Sequence, residues 1–565
     1  MLLLFVLQVF ISAICVAIGC LFYSFLPNQN KDSSRPLIFY AFTGLICITL
    51  ITQVLALFMP IDLLVALLTI AFIIIFSLIR RNKLLPIYKI LFFQIRQITT
   101  AQYFAKAAVW IMILLINAGP IMMDDSESYH IQMTKWINEY GTVPGIVNLH
   151  ERFGFNSSWF SSIAFFFSAG KFVNSYTVLN AVISFWFSAF LITKLVTADK
   201  GSSGSKSSIN FPLLLALIIS LLCWPMIRGN ASTANYDFIS TAMIATLFIS
   251  IINPEKKEQI PYLEWIIWPV YLFTVRIINY PLLLLSLFAL LQLFKKKEWL
   301  FATTAIFLSA CLLVPFIARN VMVSGYPFYP STSLDFFLVD WKTDPAIITE
   351  LRDYIKYYNR VNVMYQDIDI TRQLPFPGWI ISWFQHLFGY DRPIVVAGLG
   401  GFLLHFVFFK RSLRTYSSVV NLFVLVLFLH VLSWFFIAPD PRFAHGSLLC
   451  GAILLFQMPG KLNKLAGNIL QPSYLLFVFA ALVLSYTGMK LIKQKYYQYA
   501  ITPLALPKPP VREIKVDSIV VRIPEKVLNN WNPRCFATDL PCLYIIRPGL
   551  RMRGKTIQSG FRLEK

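Results

Sequence analysis

The stretch from Leu2 to Phe25 reads LLLFVLQVFISAICVAIGCLFYSF and holds no charged side chain. An α-helix rises about 1.5 Å per residue, so a run of this length covers a hydrocarbon core of about 30 Å. In lipid every backbone N–H and C=O must be bonded within its own segment, and a helix does that. Working outward, nearly uncharged runs recur at Leu37–Phe58, Ile61–Ile79, Phe104–Pro120, Ser175–Val196, Phe211–Ile227, Phe238–Ile252, Leu263–Thr274, Tyr280–Phe294 and Phe301–Ala318. Four more follow at Ile394–Phe409, Val419–Ile437, His445–Met458 and Ser473–Met489. The 565 residues are 57% hydrophobic and 13% charged, against about 25% charged in soluble proteins. A soluble fold is excluded. The predicted fold is an all-α polytopic bundle of about 12–14 transmembrane helices. Its first run lacks a basic leader, which predicts an uncleaved anchor.

Short basic links orient the bundle, because such links stay on the cytoplasmic side. They are Arg80, Arg81 and Lys83; Lys194, Lys200 and Lys206; Lys256 and Lys257; Lys295 to Lys297; Lys410, Arg411 and Arg414; and Lys461 with Lys464. The net charge of +22 is therefore partly a topology signal and does not indicate nucleic acid. Lys490, Lys493 and Lys495 pull against this scheme, which puts the tail outside. The expected layout is residues 1–103 as N-terminal helices, 104–492 as a transmembrane core with external loops 121–155 and 319–392, and 493–565 as a small extracytoplasmic tail. The Gly/Ser-rich piece 201–208 reads as a flexible linker. The chain has no Walker loop, dinucleotide fingerprint or zinc-type Cys/His spacing.

The first external loop begins MMDDSESYHIQMTKWINEYG. Tyr129, Met133, Trp136, Ile137 and Tyr140 recur at helical spacing, which predicts an amphipathic helix along the membrane surface. It brings Asp124, Asp125 and Glu127 to the water–lipid boundary, with His130 and Arg152 nearby in sequence. Such acids suit a proton-accepting base, or a divalent metal held by all three. The same Asp124 and Glu127 also fit a helix-capping box. External arginines at helix ends suit a phosphate, and the candidates are Arg152, Arg228, Arg276, Arg319 and Arg442. Any one of them alone is more often a lipid headgroup contact, and Arg319 and Arg442 are the first choices for a phosphate. Asp440, Arg442 and His445 share the stiff link APDPRFAHG, where Asp440 and Arg442 would also make a local ion pair.

These residues resemble the first external loop of GT-C glycosyltransferases, a superfamily that includes protein O-mannosyltransferases, lipid A aminoarabinose transferases and oligosaccharyltransferases. DDSESYH, VPGIVNLHERFGFNSSWF, Arg319-Asn320 followed by GYPFYPST, and APDPRF resemble more closely a bacterial family of multispanning proteins associated with that superfamily. Three runs precede Phe104 where the family has one helix before its acidic loop, which implies an N-terminal extension. The resemblance implies sugar transfer from a polyprenyl-phosphate-linked donor to a cell-envelope acceptor, a glycan, lipid or protein, at the extracytoplasmic face of a bacterial inner membrane. It makes Asp124 first, and Asp125 second, the base for the acceptor hydroxyl, and it raises His150, which precedes the next apolar segment.

The long loop after Arg319, with GYPFYP and RDYIKYYNR, reads as a wall of a substrate cavity. Ser157–Ala169 is short for a span and reads as interfacial or re-entrant. His430, inside a span, reads as a packed histidine, and His386 is a weaker signal. Six cysteines fall in or near apolar runs, whereas Cys535 and Cys542 lie in the tail and would form a disulfide outside the cytoplasm. The alternatives are a transporter or flippase for a lipid-linked saccharide, and a non-catalytic polysaccharide-assembly subunit. A transporter places ionisable groups near the bilayer midplane, and these span centres are almost free of them.

Overall fold

The computed structural model describes residues 1–26, 35–169, 175–198, 207–252, 260–361, 372–374, 376–410, 412, 416–457, 472–525 and 534–564. The basic residues Lys200, Lys206, Lys256, Lys257, Arg411, Arg414, Lys461 and Lys464, with most of the linker 201–208, lie outside the described residues. Among the described residues, eight helices are long and apolar enough to cross a membrane, and up to ten if each of two bent pairs is one span.

The chain opens with α1 (Leu2–Phe25), α2 (Leu37–Ala56), α3 (Leu63–Ile79), α4 (Arg81–Arg96) and α5 (Thr100–Ala118). Local chemistry sets their ends. Asp62 accepts the Val65 N–H at 3.1 Å at the start of α3, and Thr99 with Gln102 makes a reciprocal capping box on α5. Small residues set the packing. A Cβ at Gly19 of α1 or Gly44 of α2 would collide with a carbonyl oxygen of the other helix, so the two backbones meet closely. Gly401 and Gly451 do the same between helices Asp391–Val407 and His445–Gln457. Four apolar helices, Ser158–Ser168, Asp237–Ile252, Tyr262–Val275 and His445–Gln457, are shorter than the others. At about 1.5 Å per residue each falls short of a 30 Å core, which is why apolar runs outnumber full-length helices. The run at Ile61–Ile79 does not stand alone either, because α3 and α4 form a pair bent by 96°.

The helix expected along the membrane surface is α6 (Ile131–Glu139), preceded by a π-turn over Ser126–His130. The surface placement is overturned, since every residue from Ile131 to Asn138 is buried. One side packs on α7 (Ser158–Ala169), whose residues from Ser158 to Phe166 are buried. The polar side is covered by the tail. Lys135 Nζ donates to the Ala537 and Thr538 carbonyls, both at 3.0 Å, and Gln132 Nε2 donates to Phe536 and Thr538, also at 3.0 Å. A polar helix face normally means water, but here main-chain carbonyls take the place of water.

The tail holds two antiparallel hairpins, Val511–Val516 with Ile519–Pro524 and Leu550–Met552 with Phe561–Leu563. Cys535 and Cys542 are disulfide-bonded, as expected. The closed loop pairs with the first hairpin through Arg522 N–H to Pro541 and Leu543 N–H to Arg522, each at 3.0 Å. The second hairpin meets the acidic loop's far end, where Phe561 N–H donates to Pro144 at 2.9 Å. A third, short hairpin pairs Val196–Ala198 with Ser207–Ile209.

Candidate functional site

The helix ends that precede Asp125, Arg276 and Arg442 surround a cavity of about 970 Å³. Of the residues singled out in the sequence, Asp124, Asp125, His150, Arg152, Arg276, His386, Asp440, Arg442 and His445 line it. Glu127, His130, Arg228, Arg319 and His430 are not among its lining residues.

On one wall, carboxylates and guanidiniums alternate. Asp125 Oδ1 accepts from Arg152 Nη1 and Asp125 Oδ2 from Arg442 Nη2, both at 3.0 Å. Arg442 Nε lies 2.9 Å from Asp440 Oδ2 and 3.7 Å from Asp237 Oδ2. Asp237 Oδ1 in turn accepts from Arg276 Nη1. The Pro441 turn fixes this wall from behind. Asp440 Oδ1 accepts the Arg442 N–H at 3.2 Å, and the Asp440 and Pro439 carbonyls accept from the indoles of Trp434 and Trp383 at 2.6 and 2.7 Å. Arg276 lies over the Phe443 ring at 3.6 Å and the Tyr236 ring at 4.7 Å, which holds its plane. Arg152 approaches the rings of Tyr129 and Tyr354.

Burial alone would raise the Asp125 carboxyl, but the Arg442 and Arg152 guanidiniums outweigh it and hold the group well below the usual carboxylate range. Arg442, despite the opposing effect of burial, is held cationic by Asp440, Asp125 and Asp237. Asp124 is 80% exposed and pairs with Arg534 Nη2 at 2.9 Å. Glu127 pairs with the same arginine, and burial pushes its carboxyl up against that attraction. The three acids thus face two different sets of arginines and do not converge. Among the described residues no group of three His, Cys, Asp or Glu side chains could hold a metal, so the donor set does not fit the divalent ion expected at Asp124, Asp125 and Glu127.

His130 is buried among the rings of Tyr129, Phe160 and Tyr236, with Nδ1 at 3.1 Å from Ser126 Oγ. Burial pushes it down to about 3, and its ring does not line the cavity. His150 Nδ1 accepts the Arg152 N–H at 3.1 Å and thereby sets the turn that aims Arg152. Arg319, expected to open the external loop, is buried within helix Trp299–Ser324. Arg228 lies over the Tyr496 ring at 5.7 Å. His445 Nε2 lies 2.9 Å from Asp391 Oδ1, and His430 Nδ1 lies 2.8 Å from Ser447 Oγ inside the bundle, the packed histidine expected there.

Sequence reading missed Asp237, Asp391 and Arg534, all of which line the cavity, whereas Tyr354 and Tyr358 of RDYIKYYNR line it as a cavity wall, as expected of that loop. It also missed Glu151, which accepts from Tyr544 OH at 2.7 Å and Arg547 Nη2 at 2.5 Å. Asp237 did carry a signal, as a lone acid opening an apolar run.

Eight to ten helices of spanning length and apolarity, around a large cavity with a charged wall, fit the class of all-α polytopic membrane proteins. The chain belongs to the family described as Domain of unknown function (DUF8201), whose model matches residues 1–449. No curated protein and no solved structure matches it. The matched residues include Asp125, Arg152, Asp237, Arg276, Asp440 and Arg442, whereas Arg534 and Tyr544 lie beyond them.

Proposed function

We propose that this protein is a membrane glycosyltransferase of the GT-C type, with about 12–14 transmembrane helices. It transfers a sugar from a polyprenyl-phosphate-linked donor to a cell-envelope acceptor at the extracytoplasmic face of a bacterial inner membrane. The observation that carries this reading is the Asp125 carboxylate, held between Arg152 and Arg442 at 3.0 Å each on the wall of a cavity of about 970 Å³. A base and phosphate-binding cations are the two parts that such a transfer needs. Asp125 accepts the proton of the acceptor hydroxyl, and the freed oxygen bonds to the anomeric carbon. The bond from that carbon to the phosphate oxygen breaks, and its electron pair leaves on the lipid phosphate. Arg442, Arg276 and Arg152 stabilise the charge that develops there.

The alternating wall supports a coupling between these steps. A phosphate that draws Arg442 toward itself leaves Asp125 with less positive charge nearby, so its proton affinity rises as the acceptor loses its proton. The tyrosines Tyr354 and Tyr358 give the sugar apolar faces with polar edges. Asp125 is favoured over Asp124 because Asp124 points largely to solvent. The test is complementation of a deletion strain with Asp125→Asn, Asp124→Asn and Arg442→Ala, each matched for membrane abundance. Surface glycans and the sidedness of lipid-linked intermediates are then profiled. Asp125→Asn and Arg442→Ala are expected to lower transfer about 100-fold, with the lipid-linked sugar accumulating on the external face. Normal glycans with an abundant Asp125→Asn protein would overturn Asp125 as the base, and accumulation on the inner face would favour a flippase.

A further inference from the structure

A second cavity of about 310 Å³ lies in the inner corner of the 96° bend between α3 and α4. Ala17 of α1, Ile73, Ser77 and Leu78 of α3, and Leu84 of α4 form its mostly apolar lining, with Arg81 and Tyr88 on the α4 side. α4 has two apolar stripes. Leu84, Ile87 and Leu91 are buried against Cys20, Leu21, Tyr23 and Tyr40. Leu85, Tyr88, Phe92 and Ile95 repeat on an adjoining face and are exposed, as are Arg81, Lys83, Lys89 and Arg96. Between Asp62 and Asp124 the chain carries Arg80, Arg81, Lys83, Lys89, Arg96 and Lys106 and no acid.

A helix that leaves a membrane-crossing segment at nearly a right angle lies in the headgroup plane. Its exposed apolar stripe then meets acyl chains and its cations meet phosphates. We propose that α4 and this corner bind an anionic phospholipid, with one acyl chain in the groove along α3 and the phosphate at Arg81 and Tyr88. Charge selects the occupant. An all-cationic helix beside a groove walled by lipid-facing helices matches a molecule that is anionic at one end and apolar along the rest. A polar ligand would leave the groove empty, and a zwitterionic lipid would offset its own phosphate. Arg80 lies over the Phe25 ring at 4.2 Å, and Gln94 Nε2 donates to the Arg35 carbonyl at 2.9 Å, so both ends of α4 are fixed before any lipid arrives.

The test uses the full chain, delipidated in detergent and titrated with dioleoyl-phosphatidylglycerol or dioleoyl-phosphatidylcholine, with bound lipids counted by native mass spectrometry. One phosphatidylglycerol is expected to bind saturably, about tenfold more tightly than phosphatidylcholine with the same tails. The pair Arg81→Gln and Lys89→Gln removes that preference. Ser77→Trp, which fills the groove, removes the saturable lipid while leaving every charge in place, and Leu85→Trp replaces it should that variant not fold. Lys295→Gln with Lys296→Gln, in another basic link, leaves the preference intact. Equal retention of the two lipids, equal loss in the control pair, or self-association of the protein in place of lipid uptake would overturn the site.

Discussion

Two ionic clusters in this molecule use the same chemistry with opposite access. Around Arg442 the partners face the cavity, with Asp125 20% and Arg442 29% exposed, and Arg442 touches three acids. Where α1, α2 and helix Tyr262–Val275 meet, Arg35 Nε lies 2.5 Å from Glu264 Oε1, the same oxygen accepts from Tyr23 OH at 2.7 Å, and Glu264 is 2% exposed. In the first cluster an incoming anion can compete for an arginine. In the second the carboxylate is closed off and only the arginine keeps an exposed edge, and the pair acts as a latch between helices. A buried pair has low intrinsic worth but a high cost of breakage, because either partner left alone is an uncompensated charge. A cavity pair can exchange partners at little cost.

The comparison breaks most sharply at Glu264. Glu264→Ala is expected to cost about 3 kcal/mol of stability, read as a lower melting temperature and lower membrane abundance, with transfer per folded molecule unchanged. Loss of transfer at normal abundance would move Glu264 into the working machinery. Next comes Arg442→Gln, which removes one of the two cations that hold Asp125 down. The carboxyl then rises toward its ordinary value of about 3.9. Because the base must be ionised, activity that persists into acid in the parent protein falls off at higher pH in the variant, and the pH profile of transfer in membranes reads this directly. An acid limb that stays put would mean that Asp125 does not set it. The smallest effect belongs to Arg534→Ala. Its pair with the largely exposed Asp124 contributes about 0–1 kcal/mol, and its other partner, the more buried Glu127, does not line the cavity, so only a few-fold loss of transfer is expected. A loss as large as that of Arg442→Ala would place Arg534 on the substrate.

The apolar helices were legible because lipid demands long uncharged runs, and the acids and arginines of DDSESYH and APDPRF stood out against that background. Long-range cover was not legible. Lys135 and Gln132 give α6 a polar face, and nothing near them in sequence says that carbonyls of Ala537 and Thr538 replace water there. Arg534 lies 407 positions from Glu127, so no spacing argument reaches it. Asp237 was passed over because a single acid at the head of an apolar run looks like a boundary. Glu264, one acid inside such a run, was absorbed into it.

The cover over α6 also sets an order of assembly. Phe536 N–H closes on the Glu127 carbonyl at 2.8 Å, and Arg534, Cys535 and Tyr544 complete the cavity rim. All of these are made after the helices they cover. A ribosome that has delivered every apolar helix to the membrane has still not finished the pocket, and a nascent chain halted before residue 534 would carry Asp124 and Glu127 without their arginine and α6 without its roof.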